Sequence, residues 1–333
     1  MINIRKLWEN SNISAAHPDL AASVRFDEPM KEHTTFKVGG PADLFLTPSS
    51  VEELRLVTEF FLAEGIPVSV LGGGSNILVA DKGIRGVVVG LTGLDAIARI
   101  PDPSGFPEGK IAVRAGAGCT MKALTEWCES ESLAGLQRFA GLPGTVGGAV
   151  FMNARCYDVS IADAFFAADY LCFRSGRCTL EHTGYDANEW AYKTSPFQAR
   201  TGADSLLIAE DSRVVVSADF GVIPGNRADI RREMESFVKD REDKGHYRFP
   251  SAGSMFRNNH DFGKPSGKII DEAGLRGFRI GDAQVAPWHG NIVINLGNAS
   301  ASDLRALVDE IRKRVFETSG FALESEVILA GDW

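Results

Sequence analysis

Two glycine-rich stretches and a few scattered polar side chains carry the chemistry legible in this chain. LGGGSN (71–76) follows the apolar run IPVSVL (66–71), and GLPGTVGGAVFMNARCYD (141–158) has glycine at 141, 144, 147 and 148. Glycine concentrates where backbone must approach something closely or take a positive φ. Successive backbone N–H groups in such loops make nests for phosphate oxygens without a charged side chain. Neither stretch ends in the Gly-Lys-Ser/Thr of a Walker loop, and the first lacks GxGxxG spacing. One such stretch alone reads more readily as a tight turn. Two in one chain favour a dinucleotide or another long phosphorylated cofactor.

Other residues could move protons. PSAGSMFRNN (250–259) sets Ser254 among small residues, with Arg257 and Asn258 close by. Serine in that company is ordinarily a turn or cap residue, and the absence of GxSxG disfavours an α/β-hydrolase nucleophile. A polarised hydroxyl can still give up a proton. Glu324 and Glu326 lie two apart in LESEV (323–327) and would share one side of a strand. Such a pair could keep one carboxyl protonated by mutual repulsion, or could be a solvated face. Spacing does not choose between the two glutamates. WAYKTSPFQ (190–198) offers Lys193 in a polar, aromatic loop with no signature of its own.

The elements that must hold these residues follow from periodicity. Apolar residues at 51, 54, 57, 60 and 61 predict a helix over 51–64, with a capping box at Ser50 and Glu53 and a stop at Gly65. Strands are expected at 66–71, 86–91 and 111–118, and a helix at 121–131. Residues 101–109, PDPSGFPEG, make a turn-rich break. YLCFRSGRCTLE (170–181) predicts a hairpin turning at Ser175-Gly176. The charged run 225–245 predicts an exposed helix. A helix over 303–317, ended by Gly320, precedes a closing strand at 323–331. Helices and strands are mixed throughout, so the expected class is α+β or α/β.

Composition removes several functions. The chain has 333 residues, room for two or three domains, with 44% hydrophobic and 24% charged residues. A net charge of −9 argues against nucleic acid as the main partner. No stretch reads as a signal peptide or membrane span. Five cysteines without CxxC suit a reducing cytoplasm, and six scattered histidines give no metal-site spacing.

Several of these pieces recur in fixed order: HTTFKVGGPAD (33–43), LGGGSNILVAD (71–81), AGAG (115–118) and GLPGTVGGAVFMNA (141–154). PSAGSMFRN (250–258), GKIIDEAGLRGFRIGDAQV (267–285), NIVIN (291–295) and LESEV (323–327) follow. In this order the chain resembles the UDP-N-acetylenolpyruvoylglucosamine reductase family, in its shorter form without an extra substrate-capping segment. The resemblance implies an α+β, PCMH/vanillyl-alcohol-oxidase-type FAD-binding fold. Its two FAD-binding subdomains would be 1–90 and 91–220, with FAD between them and the closing strand 323–331 packing with the first. A C-terminal α/β substrate-binding subdomain would span 221–322.

The glycine stretches then acquire a ligand. Gly72, Gly73, Gly74, Ser75, Asn76, Gly141, Gly144, Thr145, Gly147 and Gly148 would line FAD. NADPH and the UDP-sugar would use one site in turn, in a cytoplasmic step of peptidoglycan synthesis, and a monomer is the favoured state. The implied reaction sends hydride from NADPH through flavin to C3 of the enolpyruvyl group, with negative charge developing at C2. Ser254 matches the serine that protonates C2, and Glu326 matches the carboxyl that helps stabilise the intermediate. Tyr192, Asn258 and Lys244 match substrate-binding positions, Lys244 on the diphosphate.

Two departures stand out. The family's Tyr-Arg-x-Ser reads Tyr192-Lys193-Thr194-Ser195, which puts lysine where arginine faces the substrate carboxylate. Positive charge survives but the bidentate fork does not. The family's Asn-Ala-Gly-Ala-Tyr-Gly reads Asn153-Ala154-Arg155-Cys156-Tyr157-Asp158, so the loop must differ in backbone. Arg155 could restore the missing guanidinium or be a plain surface arginine. A flavoenzyme of the same fold with another substrate, or a binding module without turnover, are the alternatives these departures leave open.

Overall fold

The computed structural model describes residues 3–101, 105–198 and 206–333. The break at 101–109 and the interval after Ala199 fall partly outside them. Helices accompany sheets whose strand pairings are mostly antiparallel, which makes the fold α+β. The chain forms two compact units whose segments interleave. The first comprises Met1–Phe26, Asp43–Gly73 and Gly86–Asp240; the second comprises Asp27–Ala42, Gly74–Arg85 and Arg241–Trp333.

In the first unit, the helix Val51–Ala63 starts as its sequence predicts, with Ser50 Oγ accepting from Glu53 N at 3.1 Å. The reciprocal half of the capping box closes one residue earlier: the Glu53 carboxylate accepts from Ser49 N at 2.8 Å. The helix buries Leu54, Val57, Thr58 and Phe61. The chain returns through the strand Val68–Leu71, parallel to its neighbour in the register Val68↔Val87 to Leu71↔Gly90. Both strands are almost wholly buried, as parallel strands in a packed layer must be.

A larger antiparallel sheet orders Arg177–Gly184, Phe165–Arg174, Arg213–Pro224, Ile111–Gly116 and Ile97–Ile100 side by side. The predicted hairpin is its first pair. Ser175 and Gly176 take φ of 51° and 73°, the double left-handed turn that matches strand twist. The short helix Val146–Phe151 packs on the strands Arg213–Pro224 and Ile111–Gly116. It is laced there by Val146 N to Cys119 O (2.8 Å) and Gly147 N to Ala117 O (2.9 Å).

In the second unit, the antiparallel sheet runs in the order Ser251–Ser254, Ile292–Asn295, Ala283–Val285, Arg279–Ile280. The helix Ala301–Ser319, two residues longer at each end than its period indicates, buries Leu304, Leu307, Val308, Ile311 and Val315. Gly320 ends it at φ 72°. The closing segment is not one strand. Residues 324–326 bond to 255–257, and only Ile328–Ala330 pairs in parallel with Ile77–Val79.

Asp81 ties two segments of this unit together. Its carboxylate accepts from Ala301 N (2.8 Å), Ser302 N (2.9 Å) and Ser302 Oγ (2.6 Å) at the start of the long helix. Burial raises the Asp81 pKa, but the Ser302 hydroxyl and the two backbone bonds outweigh it, and the net direction is down. A depressed native pKa contributes stability at neutral pH and loses it as pH falls through that pKa. Replacing Asp81 by Asn should therefore cost about 1 kcal/mol at pH 7, the usual loss at a helix start. The gap should close below about pH 4, the ordinary aspartate range. Urea unfolding across that range measures it; a gap independent of pH would contradict the charge-based account.

Candidate active site

The two glycine stretches meet within the first unit. The strand Val68–Leu71 ends at Gly72, and a Cβ built on Gly73 would stand 2.7 Å from Gly144 Cα. A Cβ on Gly72 would stand 2.8 Å from Thr145 Oγ1. These glycines are therefore needed for the two loops to touch each other. Gly148 differs: a Cβ there would meet only Thr145 Oγ1, at an ordinary 3.6 Å. The Thr145 side chain is buried, and its hydroxyl has no partner among the described residues. A buried hydroxyl without a partner costs about 1–3 kcal/mol unless something else satisfies it.

Gly74, Ser75 and Asn76 belong to the second unit. Gly74 O accepts from Thr35 N at 3.0 Å. Asn76 Nδ2 donates to Glu326 O at 3.1 Å, and Asn76 O accepts from Ile328 N at 3.0 Å. The LGGGSN motif thus serves two places: its first glycines face the second glycine stretch, and its asparagine holds the Glu326 backbone.

Ser254 ends its strand, exposed, after Gly253 at φ 72°. Directly beyond it, Met255 O accepts from Glu326 N (2.8 Å) and Arg257 N donates to Glu324 O (2.9 Å). Ser254 and Glu326 therefore ride on adjacent, hydrogen-bonded segments. Buried Asn291 locks the serine side: Nδ2 donates to Phe256 O at 2.8 Å and Oδ1 accepts from Phe256 N at 2.9 Å. NIVIN contains this residue, but nothing local marks its amide as buried. The two glutamates part company here. Glu324 is exposed and pairs with Arg257 at 3.4 Å, whereas Glu326 is half-buried.

Asn258 Oδ1 accepts from Ser266 N at 2.9 Å, so its oxygen secures the turn into the next helix. Lys244 is exposed, one residue past the helix Arg227–Asp243. Its charge acts on His289, whose pKa is lowered, first by burial and then by the Arg276 and Lys244 cations.

Tyr192 and Lys193 form the apex of a tight turn in the first unit. Ala191 and Thr194 exchange hydrogen bonds of 3.2 and 3.0 Å, and Lys193 takes φ 57°. Arg155 is exposed, and its Nε donates to Tyr157 O at 3.2 Å inside its own small hairpin. Tyr157 reaches out instead, its hydroxyl donating to Asp240 Oδ2 at 2.8 Å. The guanidinium of Arg155 is thus engaged within the altered loop.

Two family models match the chain: an FAD binding domain over residues 42–177, and the C-terminal domain of UDP-N-acetylenolpyruvoylglucosamine reductase over 245–330. The reductase of Treponema denticola is 46% identical over 311 residues, covering 93% of this chain and 94% of that protein. That of Treponema pallidum is 41% identical, covering 92% and 94%. The chain belongs to the UDP-N-acetylenolpyruvoylglucosamine reductase family. The crystal structure of the reductase from Thermus caldophilus matches with a TM-score of 0.69 at 30% identity, over 91% of this chain and 97% of that one. As a member of the family, the protein is an FAD-dependent oxidoreductase. It uses NADPH to reduce UDP-N-acetylglucosamine enolpyruvate to UDP-N-acetylmuramate for peptidoglycan. Among the described residues no helix is long and apolar enough to cross a membrane. The residues present suit the reductase's cofactor. Gly148 leaves space that the protein's own packing does not claim, and the Thr145 hydroxyl lacks a partner beside it.

Proposed function

We propose that Gly72, Gly73, Gly74, Ser75, Asn76, Gly141, Gly144, Thr145, Gly147 and Gly148 hold FAD. The unpartnered Thr145 hydroxyl beside the open position at Gly148 supports this. When bound, FAD accepts hydride from NADPH and delivers it to C3 of the enolpyruvyl group. The remaining steps fall to side chains. Lys193 faces the substrate carboxylate, where charge from C2 spreads. As a point charge it stabilises that carboxylate without the fork of an arginine. Ser254 Oγ gives its proton to C2, and solvent restores it, because the serine is exposed. Glu326 helps stabilise the intermediate from the segment paired beside Ser254. Tyr192, Asn258 and Lys244 bind substrate, Lys244 at the diphosphate. The functional layout is two FAD-binding parts, 1–90 and 91–220, and a substrate-binding part, 221–322. A reducing cytoplasm suits the five buried cysteine thiols, and a monomer is the expected state.

The adjacency of Ser254 and Glu326, fixed by the 2.8 Å bond from Glu326 N to Met255 O, carries the chemical part of this reading. Ser254→Ala should slow reoxidation of the reduced enzyme by the enolpyruvyl substrate by roughly 10²-fold or more. Reduction by NADPH should be unchanged. Stopped-flow absorbance of the flavin separates the two half-reactions, and a variant with normal reoxidation would remove Ser254 from the mechanism.

Gly148 tests the cofactor part. Alanine fits there without a clash in the protein itself and favours a helix by up to about 1 kcal/mol. Gly148→Ala should keep or raise the Tm of the flavin-free protein while weakening FAD binding by roughly tenfold or more, as for a methyl forced into a filled site. Titration of apoprotein with FAD reads the Kd; an unchanged value would place the flavin elsewhere.

A further inference from the structure

Asn153 combines three features seldom found together. It is a non-glycine residue in the left-handed region, at φ 40°, it is only 4% exposed, and both ends of its carboxamide are engaged. Nδ2 donates to Ala191 O at 2.8 Å, and Oδ1 accepts from Ala162 N at 3.1 Å. Asparagine tolerates this backbone better than most residues, but such conformations persist only where the surroundings over-determine them.

What surrounds Asn153 is the turn bearing Lys193. Ala191, which receives the Asn153 amide, opens that turn, and Thr194 closes it. Just beyond, Ser195 Oγ (2.7 Å) and Gln198 Nε2 (2.6 Å) both donate to Phe151 O, the last residue of the helix Val146–Phe151. Ser195 and Gln198 are buried as well. Three buried side chains therefore bind the 191–198 loop to the end of the helix that carries Gly147 and Gly148. Of the three, only Asn153 bonds at the mouth of the turn itself.

We propose that Asn153 is a positioning residue for Lys193, fixing through Ala191 O the turn from which the ammonium reaches the substrate carboxylate. The inference rests on the assignment of Lys193 to that carboxylate. That this residue is a lysine gives it weight. An arginine fork orients itself on a carboxylate by two parallel bonds, whereas an ammonium on a flexible stem has no such self-alignment. The backbone that carries it sets where the stem begins, and Asn153 bonds that backbone at the mouth of its turn.

A double-mutant cycle on the flavin-loaded enzyme tests this. Asn153→Gly deletes the amide yet keeps a residue at ease with positive φ. It should slow reoxidation by the enolpyruvyl substrate by roughly tenfold, and weaken binding of the carboxylate product in calorimetry to a similar degree. Reduction by NADPH and flavin content should stay as in the wild type. In a Lys193→Ala background the same change should have no further effect. Additive losses, or equal slowing of both half-reactions, would overturn the proposal. Lys193→Ala with unimpaired reoxidation and product binding would instead overturn the Lys193 assignment, and the inference with it. Asn153→Asp, which keeps the acceptor toward Ala162 and loses the donor toward Ala191, gives the same comparison where the glycine variant fails to retain flavin.

Discussion

The contact between Gly73 and Gly144 is the constraint on which the first unit's proposed cofactor site depends. Two loops separated by 70 residues in sequence approach until any Cβ on Gly73 would press within 2.7 Å of the other backbone. Each loop is anchored by different means. One leaves a buried parallel strand, and the other is threaded by hydrogen bonds from Val146 and Gly147 to the turn at 117–119. Neither anchor could shift without opening the glycine contact. The same closeness explains why the surface beside it, at Thr145 and Gly148, keeps a shape the protein's own atoms do not fill. A site made of backbone needs such rigidity, because it has no long side chains with which to adjust.

The second unit solves a different problem, holding side chains on irregular chain ends. Ser254 sits at the last position of a strand after a left-handed glycine, and Glu326 sits where its segment leaves one partner for another. Both positions would fray if left to strand pairing alone. Buried Asn291 closes two bonds to Phe256, and Asn76 holds the Glu326 carbonyl. Carboxamides suit this work, since one side chain can satisfy a donor and an acceptor where regular pairing stops. Asn153 does the same in the first unit.

This division of labour accounts for what the sequence reveals and what it withholds. The helices at 51–63 and 301–319 are legible because their caps and apolar stripes are local, and the hairpin at Ser175-Gly176 is legible because its turn demands positive φ. The glycine stretches announce close approach, but nothing near residue 73 says that residue 144 is the object approached. Ser254 and Glu326 have no local signature, and only the family resemblance singles them out. Asn153, Asn291 and Asn76 are harder still. An asparagine in a loop has the same sequence whether it is solvated or buried with both ends bonded. The interleaving of 27–42 and 74–85 into the second unit likewise leaves no compositional trace.

The altered loop after Asn153 shows how a chain can depart from its family's pattern without disturbing what the pattern secures. Residues 155–160 form a small hairpin, Arg155–Cys156 against Val159–Ser160. That hairpin does not hang free: Tyr157 bonds Asp240 and packs on Phe237, while Asp158 pairs with Arg138. Ile161 N then returns to Ala154 O at 2.9 Å, so the chain re-enters beside its point of departure and brings Ala162 N back to Asn153. The loop is thus held at its tip by exposed polar contacts, each worth about 1 kcal/mol or less, and closed at its base by buried ones. Changes at the tip can be tolerated because the base carries the geometry. Arg155 thus bonds within the hairpin, while Asn153, at its base, bonds the mouth of the turn that bears Lys193.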